Sequence, residues 1–400
     1  MGKIRLWSGL LLSLGLCLVA YLCVDNEAIA SFAPRDLNRK KDQKNDTFSR
    51  LPLTRTPSAH PLLTANDTDS NVSIPLYKNL SCPFEMSKFS CFRQGRHRQA
   101  QASFDLAAKR KRPRYWWQSN NNSNYTVPTD EYIPKLLLVG DSTMRQVFVA
   151  LGCFFWHQDM IAKFYMDWKP YWPCHGFPGC VTSGKHSGFD AGRIRLKQGL
   201  DIFFFPHAGG LDHNQKEIID NWLKSWKETG KLKFQLQPTG YPFGLGRRDT
   251  VVYTVGMHLT PWSRKKIYPK IDQLGRALRQ ARINGRNAPT FVLQTSTTQH
   301  FNSPDGQYYK YMMGSSPPIP LNTTVNGCRS SLPINPRRES ELKVFQEGQN
   351  VDVILDVPDE DMGDYHVGGN DCTHYCMAGV PDLIAMNLLD RLGEHFGQSQ

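Results

Sequence analysis

A serine at the junction between an apolar run and a helical pattern is the first candidate for chemistry in this chain. The segment KLLLVGDSTMRQVFVAL, residues 135–151, places Ser142 at that junction. Serine and aspartate are favoured helix N-caps whatever the protein does. The position also suits a nucleophile, because the helix dipole favours negative charge that develops beside a helix N-terminus. Ser142 is therefore either a cap or a nucleophile, and a base elsewhere in the chain must decide.

A catalytic serine needs a neighbouring base, normally a histidine that a carboxylate orients. Of the twelve histidines, His374 stands out because Asp371 precedes it by three residues in GGNDCTHYCMAGVPDLIAMNLL, just before a helical pattern. On one turn of chain, the two side chains would share a face. The spacing predicts that Asp371 holds the Nδ1 proton of His374 while Nε2 faces Ser142.

Two other interpretations of this segment stay open here. Cys372, His374 and Cys376 have residue types that bind zinc, although only three such residues lie close together and an oxidising compartment favours disulfides. Alternatively, Asp371 caps the last helix and His374 is structural, with the cysteines acting as staples that fix the loop. Stapling also suits catalysis, since a triad needs its base held to a fraction of an ångström.

From Ser81 onward, apolar runs of strand length alternate with amphipathic segments. The predicted strands are residues 135–139, 201–205, 250–255, 290–294 and 351–355, and the predicted helices are residues 143–154, 214–227, 264–283 and 381–392. This alternation predicts an α/β fold in which helices cover both faces of a parallel sheet. Ligands bind beyond the carboxyl ends of such strands, and Ser142 lies at one of these ends.

The first 80 residues are predicted to be a membrane anchor and a stem. Residues 6–24 carry no charge and follow Lys3 and Arg5, and a helix of that length crosses a bilayer. Positive charge ahead of the span favours a cytoplasmic N-terminus. Residues 1–5 are then a cytoplasmic tail, residues 25–80 a disordered lumenal stem and residues 81–400 the folded domain of a single-pass type II membrane protein. A cleaved signal peptide is the alternative.

Other features agree with a lumenal address. Seven Asn-x-Ser/Thr sequons are candidates for glycosylation: Asn45, Asn66, Asn71, Asn79, Asn121, Asn124 and Asn322. Eight cysteines lie outside the span, and an even number in an oxidising compartment predicts disulfides whose pairing the sequence leaves open. The net charge of +12 suits an anionic partner, but the lumenal address argues against nucleic acid. The segment KRKRPRYWW, residues 109–117, either stacks on sugars, anchors to a membrane or is a solvated basic segment beside an aromatic cluster.

Six ordered blocks resemble the PC-esterase family, and most closely the plant trichome-birefringence-like polysaccharide O-acetyltransferases. Three of the six, GDSTMRQ, DCTHYC and the VPDLIAMNLL that follows it, resemble the family's GDS and DxxH blocks. SCPFEMSKFSCFRQGR, YWWQ and FVLQTSTTQHF are similar to its N-terminal cysteine block, its aromatic segment and a strand-and-loop block. Cys153 and Cys328 fall where relatives carry cysteine, and the resemblance covers nearly all of residues 81–395.

The resemblance implies a three-layer α/β/α sandwich with a central parallel sheet, similar to SGNH hydrolases, anchored in the Golgi membrane with its PC-esterase-like catalytic domain in the lumen. It implies that Ser142 is the nucleophile, His374 the base and Asp371 its orienting carboxylate. The triad would move acetyl groups from a donor such as acetyl-CoA onto polysaccharide or other glycan hydroxyls, with no bound cofactor or metal. Arg145 matches the arginine after GDS in relatives and would position a loop or the acyl oxygen.

One block departs from the family's pattern. Relatives read Asn-Thr-Gly-His after the third strand, whereas this chain reads YTVGMHLTPW, residues 253–262, with Thr254 in place of the asparagine. The candidates for oxyanion or substrate binding, besides Arg145 and the Ser142 amide, are Gly209, Gly210, Thr254, Gly256 and His258. GDSTMRQ and VGMH are also similar to animal neurexophilin-and-PC-esterase proteins, so the acceptor does not carry over from the family.

The same triad serves transfer and hydrolysis, since the two reactions differ only in whether a sugar or water accepts the acyl group. The predicted anchor and the resemblance favour transfer. The alternatives are a glycan acetylesterase and a glycan-binding pseudoenzyme. Intact Ser142, Asp371 and His374 argue against the pseudoenzyme.

Overall fold

The part of the chain that the structure describes lies almost wholly in its C-terminal two thirds. The computed structural model describes residues 133–166, 180–182, 192–206, 212–236, 241–257, 259–303, 305–308, 324–325, 327–368 and 371–397. The predicted tail, span and stem, the seven sequons and the segment 109–117 lie outside the described residues and stay predictions. Within the described ranges, no helix is both long enough and apolar enough to span a membrane.

Helices separate single strands and short runs of strands along the described chain. The elements of its first half are β1 (Lys135–Gly140), α1 (Ser142–His157), β2 (Ile161–Met166), β3 (Cys180–Thr182), β4 (Gly192–Leu196), β5 (Asp201–Pro206), α2 (Asp212–Thr229), β6 (Leu232–Leu236), β7 (Tyr241–Leu245) and β8 (Thr250–Thr254). The elements that follow are α3 (Pro261–Ile283), β9 (Thr290–Gln294), β10 (Thr324–Val325), β11 (Cys328–Arg329), α4 (Pro336–Val344), β12 (Val353–Leu355), β13 (His366–Gly368), β14 (Asp371–Tyr375) and α5 (Val380–Gly397). Every predicted strand and helix is present, with ends that differ by at most five residues.

An eight-stranded mixed sheet lies at the centre of the described fold, in the order β12-β9-β8-β1-β5-β4-β2-β3. Neighbouring strands are parallel except where β4 pairs with β5 and with β2. The α/β prediction is thus confirmed as a mostly parallel sheet flanked by helices, and the prediction of a wholly parallel sheet is wrong. The reason is local: only residues 197–200 separate β4 from β5, and a turn this short joins antiparallel strands, whereas a parallel pair needs a crossover.

Helices cover both faces of the central strand β1. Leu136 and Leu138 pack in one apolar cluster with residues of α1 and α5, while Leu137 and Val139 pack in a second cluster with residues of α2 and α3. All four side chains are fully buried. Burial of each stabilises the fold by about 1.5–3 kcal/mol, so β1 is held rigidly from both sides.

The carboxyl end of β1 lies where the course of the chain through the sheet reverses. The chain runs from β1 through β2 to β5, which pairs with one edge of β1, and later returns through β8, which pairs with the other edge. Crevices at such switch points are where ligands bind in α/β sheets. Ser142 begins the helix that directly follows β1, so the fold places this serine at that crevice.

Helix α3 lies so close to the segment before β12 that a larger residue at Gly275 should destabilise the fold. A Cβ atom at Gly275 would come within 2.0 Å of the Asn350 carbonyl oxygen. Alanine is the better helix former by about 1 kcal/mol, but overpacking costs about 1–3 kcal/mol. We expect Gly275→Ala to lower the melting temperature followed by circular dichroism. Gln273→Ala, at an exposed position of the same helix, is the control, and a Gly275→Ala melting temperature at or above wild type would contradict the prediction.

Candidate active site

Helix α1 is capped by Asp141 and not by Ser142. Asp141 Oδ1 accepts hydrogen bonds from the backbone N of Thr143 at 2.9 Å and from its hydroxyl at 2.7 Å. Asp141 Oδ2 accepts a hydrogen bond from the backbone N of Met257 at 2.8 Å, which ties the segment after β8 to the start of α1. The interpretation of Ser142 as the cap is therefore wrong, and its hydroxyl has a different partner.

The partner of Ser142 is the predicted base. Ser142 Oγ lies 2.7 Å from His374 Nε2, and His374 Nδ1 lies 2.9 and 3.0 Å from the two carboxylate oxygens of Asp371. A carboxylate only accepts hydrogen bonds, so Nδ1 carries a proton, and Nε2 accepts from the serine hydroxyl when the ring carries no second proton. The structure brings the three predicted residues together in the order that lets a histidine take a serine proton.

The backbone that presents Asp371 and His374 differs from the predicted turn of helix. Both residues lie in β14, where side chains three apart normally point to opposite faces. The pairing of β14 with β13 shifts register between His366–Tyr375 and Gly368–Asp371, so three residues of β14 lie opposite the one residue of β13 between these pairs. Such a bulge re-aims side chains, and here it lets Asp371 Oδ1 accept hydrogen bonds from both the backbone N and the ring of His374.

Asp371 is held in its charged form. Burial by itself would raise its pKa, but the hydrogen bond and charge of the His374 ring, together with the backbone amides of His374 and Thr373, outweigh burial and lower the pKa of Asp371. An anionic Asp371 stabilises the imidazolium that forms when His374 takes a proton. The carboxylate therefore orients the ring.

Side chains on either side of His374 fix the β13–β14 hairpin to the segment that follows β9. The Tyr375 hydroxyl donates to Asp359 Oδ2 at 2.7 Å, and Asp359 also accepts from the backbone N and the hydroxyl of Thr298. Asp359 is fully buried, and burial raises its pKa to about 6 although these donors oppose the shift. His366 Nδ1 lies 3.0 Å from the carbonyl oxygen of His374, and the His366 ring stacks on Tyr375.

A disulfide between Cys328 and Cys372 joins the same hairpin to β11. It confirms the predicted staple for Cys372 and supplies a pairing that the sequence left open. The zinc interpretation is wrong for Cys372, because a zinc ligand must be a thiolate, and Cys376 is disulfide-bonded as well. The interpretation of Asp371 as a helix cap is also wrong, since α5 begins only at Val380.

Two further candidates, Thr254 and Gly256, lie next to the start of α1. A Cβ atom at Gly140 would come within 2.5 Å of Thr254 Cγ2, so Thr254 borders the residue two before the serine. The Gly256 backbone N donates to Thr254 Oγ1 at 3.3 Å, and the φ angle of Gly256 is +77°, a conformation that favours glycine. The structure thus brings both residues to the crevice edge, where the Gly256 amide is bonded to Thr254.

The structure describes one of the four remaining candidates. Arg145 lies on the first turn of α1, half-buried, and its backbone N donates to the Asp141 carbonyl oxygen at 3.1 Å. Gly209, Gly210 and His258 lie outside the described residues. The roles predicted for these four residues stay predictions.

A buried ion pair that the sequence did not reveal supports the segment after β8. The guanidinium of Arg264 lies 3.1 Å from Glu341 Oε1 and donates to the Gly256 carbonyl oxygen. Glu341 also accepts from the backbone N of Ser296 at 2.6 Å and from its hydroxyl at 2.7 Å. Burial raises the pKa of Glu341 even though Arg264 opposes the shift. Loss of one partner of such a pair costs about 3–5 kcal/mol, so the pair fixes this edge of the crevice.

No family model matches the chain, and no curated protein matches it significantly. The family resemblance therefore stays a prediction.

Removal of the disulfide should loosen the strand that carries the base. We expect Cys328→Ser combined with Cys372→Ser to lower the free energy of unfolding by about 2–5 kcal/mol, because the bridge closes a loop with a sequence separation of 44 residues. The measurement is chemical denaturation monitored by tryptophan fluorescence, with reduced and oxidised wild type as references. A double variant with the stability of the oxidised wild type would contradict the staple.

Proposed function

We propose that this chain is an O-acetyltransferase that moves acetyl groups onto glycan hydroxyls in the secretory lumen. The observation that carries the proposal is the 2.7 Å contact between Ser142 Oγ and His374 Nε2, with Asp371 bound to the other ring nitrogen. A nucleophile, a base and an orienting carboxylate at the ligand-binding edge of an α/β sheet form a constellation suited to acyl transfer. The six blocks that resemble the PC-esterase family support glycans as acceptors.

The first half of the proposed reaction forms an acyl-enzyme. His374 Nε2 takes the proton of Ser142 as Oγ attacks the carbonyl carbon of an acetyl donor, such as a thioester. The Ser142 amide, at the N-terminus of α1, has no acceptor within the helix and is a donor for the oxyanion. When the tetrahedral intermediate collapses, the proton on Nε2 passes to the leaving thiolate, and the acetyl group stays on Oγ.

The second half of the reaction transfers the acetyl group. A sugar hydroxyl gives its proton to His374 Nε2 while its oxygen attacks the ester carbonyl of the acyl-enzyme. Collapse of the second intermediate returns the proton from His374 to Ser142 Oγ and releases the acetylated glycan. Asp371 keeps its proton-free state throughout, because its low pKa favours the carboxylate beside the imidazolium.

An exposed aromatic ring on the rim of the crevice supports a glycan acceptor. Trp262 is 63% exposed, in the first turn of α3, and Arg264 connects this turn to Gly256 at the crevice edge. The Lys266 ammonium lies over the Trp262 ring, 3.1 Å from its centroid. Aromatic faces can stack on sugar rings, and a neighbouring cation favours an acidic polymer.

The proposal includes the detailed fold, the localisation and the acetyl donor that the sequence and the resemblance predict. An SGNH-like three-layer sandwich agrees with a mostly parallel sheet that has α1 and α5 on one face and α2 and α3 on the other. A type II anchor in the Golgi membrane, and a donor such as acetyl-CoA with no bound cofactor or metal, follow from the resemblance and the first 24 residues. The disulfide between Cys328 and Cys372 agrees with a lumenal domain.

A glycan acetylesterase is the second candidate function. The same triad hydrolyses acetyl esters when water replaces the sugar in the second half of the reaction. A glycan-binding pseudoenzyme is less well supported, because binding alone gives no reason for a serine hydroxyl to contact a histidine that a carboxylate orients.

The first test is mass spectrometry of glycans incubated with the full-length chain and an acetyl donor, across neutral and acidic polymers. Ser142→Ala should keep the wild-type melting temperature and lower turnover at least about a thousandfold, because it removes only the nucleophilic oxygen. Serine-dependent acetyl gain supports a transferase. Acetate release from acetylated polymers without any gain supports the esterase, and wild-type turnover in Ser142→Ala would refute both.

Substitutions of the other two triad residues should lower activity to different extents. Asp371→Asn should retain more activity than His374→Ala, because the base remains although it is badly oriented. Initial rates of aryl acetate hydrolysis by the full-length variants measure this order. Equal activity in wild type and His374→Ala would remove His374 from the mechanism.

The rim tryptophan should affect polymer binding and not chemistry. We expect Trp262→Ala to raise KM for a polysaccharide acceptor by about 2–10-fold, since aromatic stacking contributes about 0.5–1.5 kcal/mol. Ile283→Ala is the matched control, because Ile283 is also 63% exposed but lies at the opposite end of α3. An unchanged KM in Trp262→Ala, or the same rise in Ile283→Ala, would contradict the assignment.

A further inference from the structure

One buried amide side chain connects the helix of Ser142 to the strand of His374. Gln146 Nε2 donates to the Tyr375 carbonyl oxygen at 2.7 Å, and the Tyr375 backbone N donates to Gln146 Oε1 at 3.3 Å. Gln146 is 1% exposed. A single carboxamide therefore pairs with both polar backbone groups of one residue, in a site that water does not reach.

Both ends of this clamp lie next to reacting atoms. Gln146 follows Ser142 by four residues in α1, which places the two side chains on the same helix face one turn apart. Tyr375 directly follows His374 in β14. The clamp thus connects the two elements whose separation sets the distance from Ser142 Oγ to His374 Nε2.

The other contacts of the β13–β14 hairpin join it to a different part of the fold. The Tyr375 hydroxyl binds Asp359 and the Thr298 carbonyl oxygen, and the backbone N of His300 donates to the Cys372 carbonyl oxygen at 3.0 Å. These contacts hold the hairpin against the segment that follows β9. Among the hydrogen bonds between described residues, those of the clamp and of the triad join β14 to α1.

The chemistry of the site requires a glutamine. The carboxamide of glutamine offers a donor and an acceptor on neighbouring atoms at any pH, and asparagine is shorter by one methylene. A carboxylate at this position would accept from the Tyr375 amide but could not donate to its carbonyl. Leucine would fill a similar volume and leave both backbone groups buried without these partners, which costs about 1–3 kcal/mol for each group.

We propose that Gln146 is a positioning residue that sets the distance between Ser142 and His374 by clamping the backbone of Tyr375. Its kinetic readout rests on the proposed acyl-transfer function. Gln146 acts through the backbone beside the base, so its loss should lower kcat and leave KM for a small ester unchanged. Small displacements of a catalytic group lower rates by up to about 100-fold, and we expect a 10- to 100-fold loss.

The test compares Gln146→Leu and Gln146→Glu in the full-length protein, with p-nitrophenyl acetate as substrate. Gln146→Leu should lose activity by a factor that does not vary with pH. Gln146→Glu should approach wild-type activity as the pH falls, because a protonated carboxyl group both donates to the Tyr375 carbonyl and accepts from its amide. Burial raises the pKa of the introduced carboxyl group, which brings this rescue towards mildly acidic pH. A purely structural role predicts no such rescue.

The matched control is a buried amide side chain with an equivalent pattern of bonds at the opposite edge of the sheet. Asn350 is 5% exposed, donates from Nδ2 to the Val344 carbonyl oxygen at 3.0 Å and accepts from the backbone N of Gln346. It precedes β12, whose amino end lies opposite the edge where Ser142 is found. Asn350→Leu should destabilise the fold and keep wild-type kcat at temperatures well below unfolding. Equal kcat losses in Asn350→Leu and Gln146→Leu would attribute the effect to stability and overturn the clamp.

A readout without substrate separates the clamp from the proposed function. The exchange of the His374 Nδ1 proton with water, followed by NMR, reports how firmly the ring is held between Asp371 and Ser142. Faster exchange in Gln146→Leu than in Asn350→Leu supports the clamp, even if wild type shows no Ser142-dependent turnover and the acyl-transfer proposal fails. Unchanged exchange, or wild-type kcat in Gln146→Leu, overturns the clamp while leaving the triad in place.

Discussion

The contact between Ser142 and His374 is the constraint that orders the rest of the site, because it joins two side chains 232 residues apart in sequence. Ser142 begins a helix whose strand, β1, is packed from both faces, so the nucleophile is fixed by the main core. His374 lies on a two-stranded hairpin outside the central sheet. The geometry of the triad therefore depends on how firmly that hairpin is attached to the core.

The hairpin is attached by buried polar contacts, which fix its orientation as well as stabilising it. Asp359 and Glu341 are both fully buried, and each accepts hydrogen bonds from the segment that follows β9. A buried carboxylate is costly unless its oxygens are bonded, so each one restricts its donors to a single arrangement. An apolar core tolerates small shifts that such a network does not. The segment 295–301 is thereby held between the hairpin and the crevice edge.

The sequence predicts the strands and helices that a local residue pattern determines. It does not predict those that depend on pairing between distant segments. Strand 290–294 was predicted with its observed bounds, since it is an apolar run between turn residues. Strand β4, GRIRL, was missed because its two arginines suggest exposure, whereas both pair with Asp201 on the adjacent strand. The residue types of the triad marked it in the sequence. The bulge that aligns Asp371 with His374 comes from pairing with β13 and has no signature within DCTHYC.

Each contact that anchors the base holds a different residue of the short strand β14, so none of them replaces another. The disulfide holds Cys372 on one side of His374, Tyr375 is held on the other, and His366 contacts the His374 carbonyl oxygen between them. With the backbone fixed on both sides, the remaining freedom of His374 is rotation of its side chain. The carboxylate of Asp371 removes that freedom by binding Nδ1, because a ring held at one nitrogen presents the other in one direction only. The contact between Ser142 and His374 is therefore met only when the backbone anchors and Asp371 together hold the base in place.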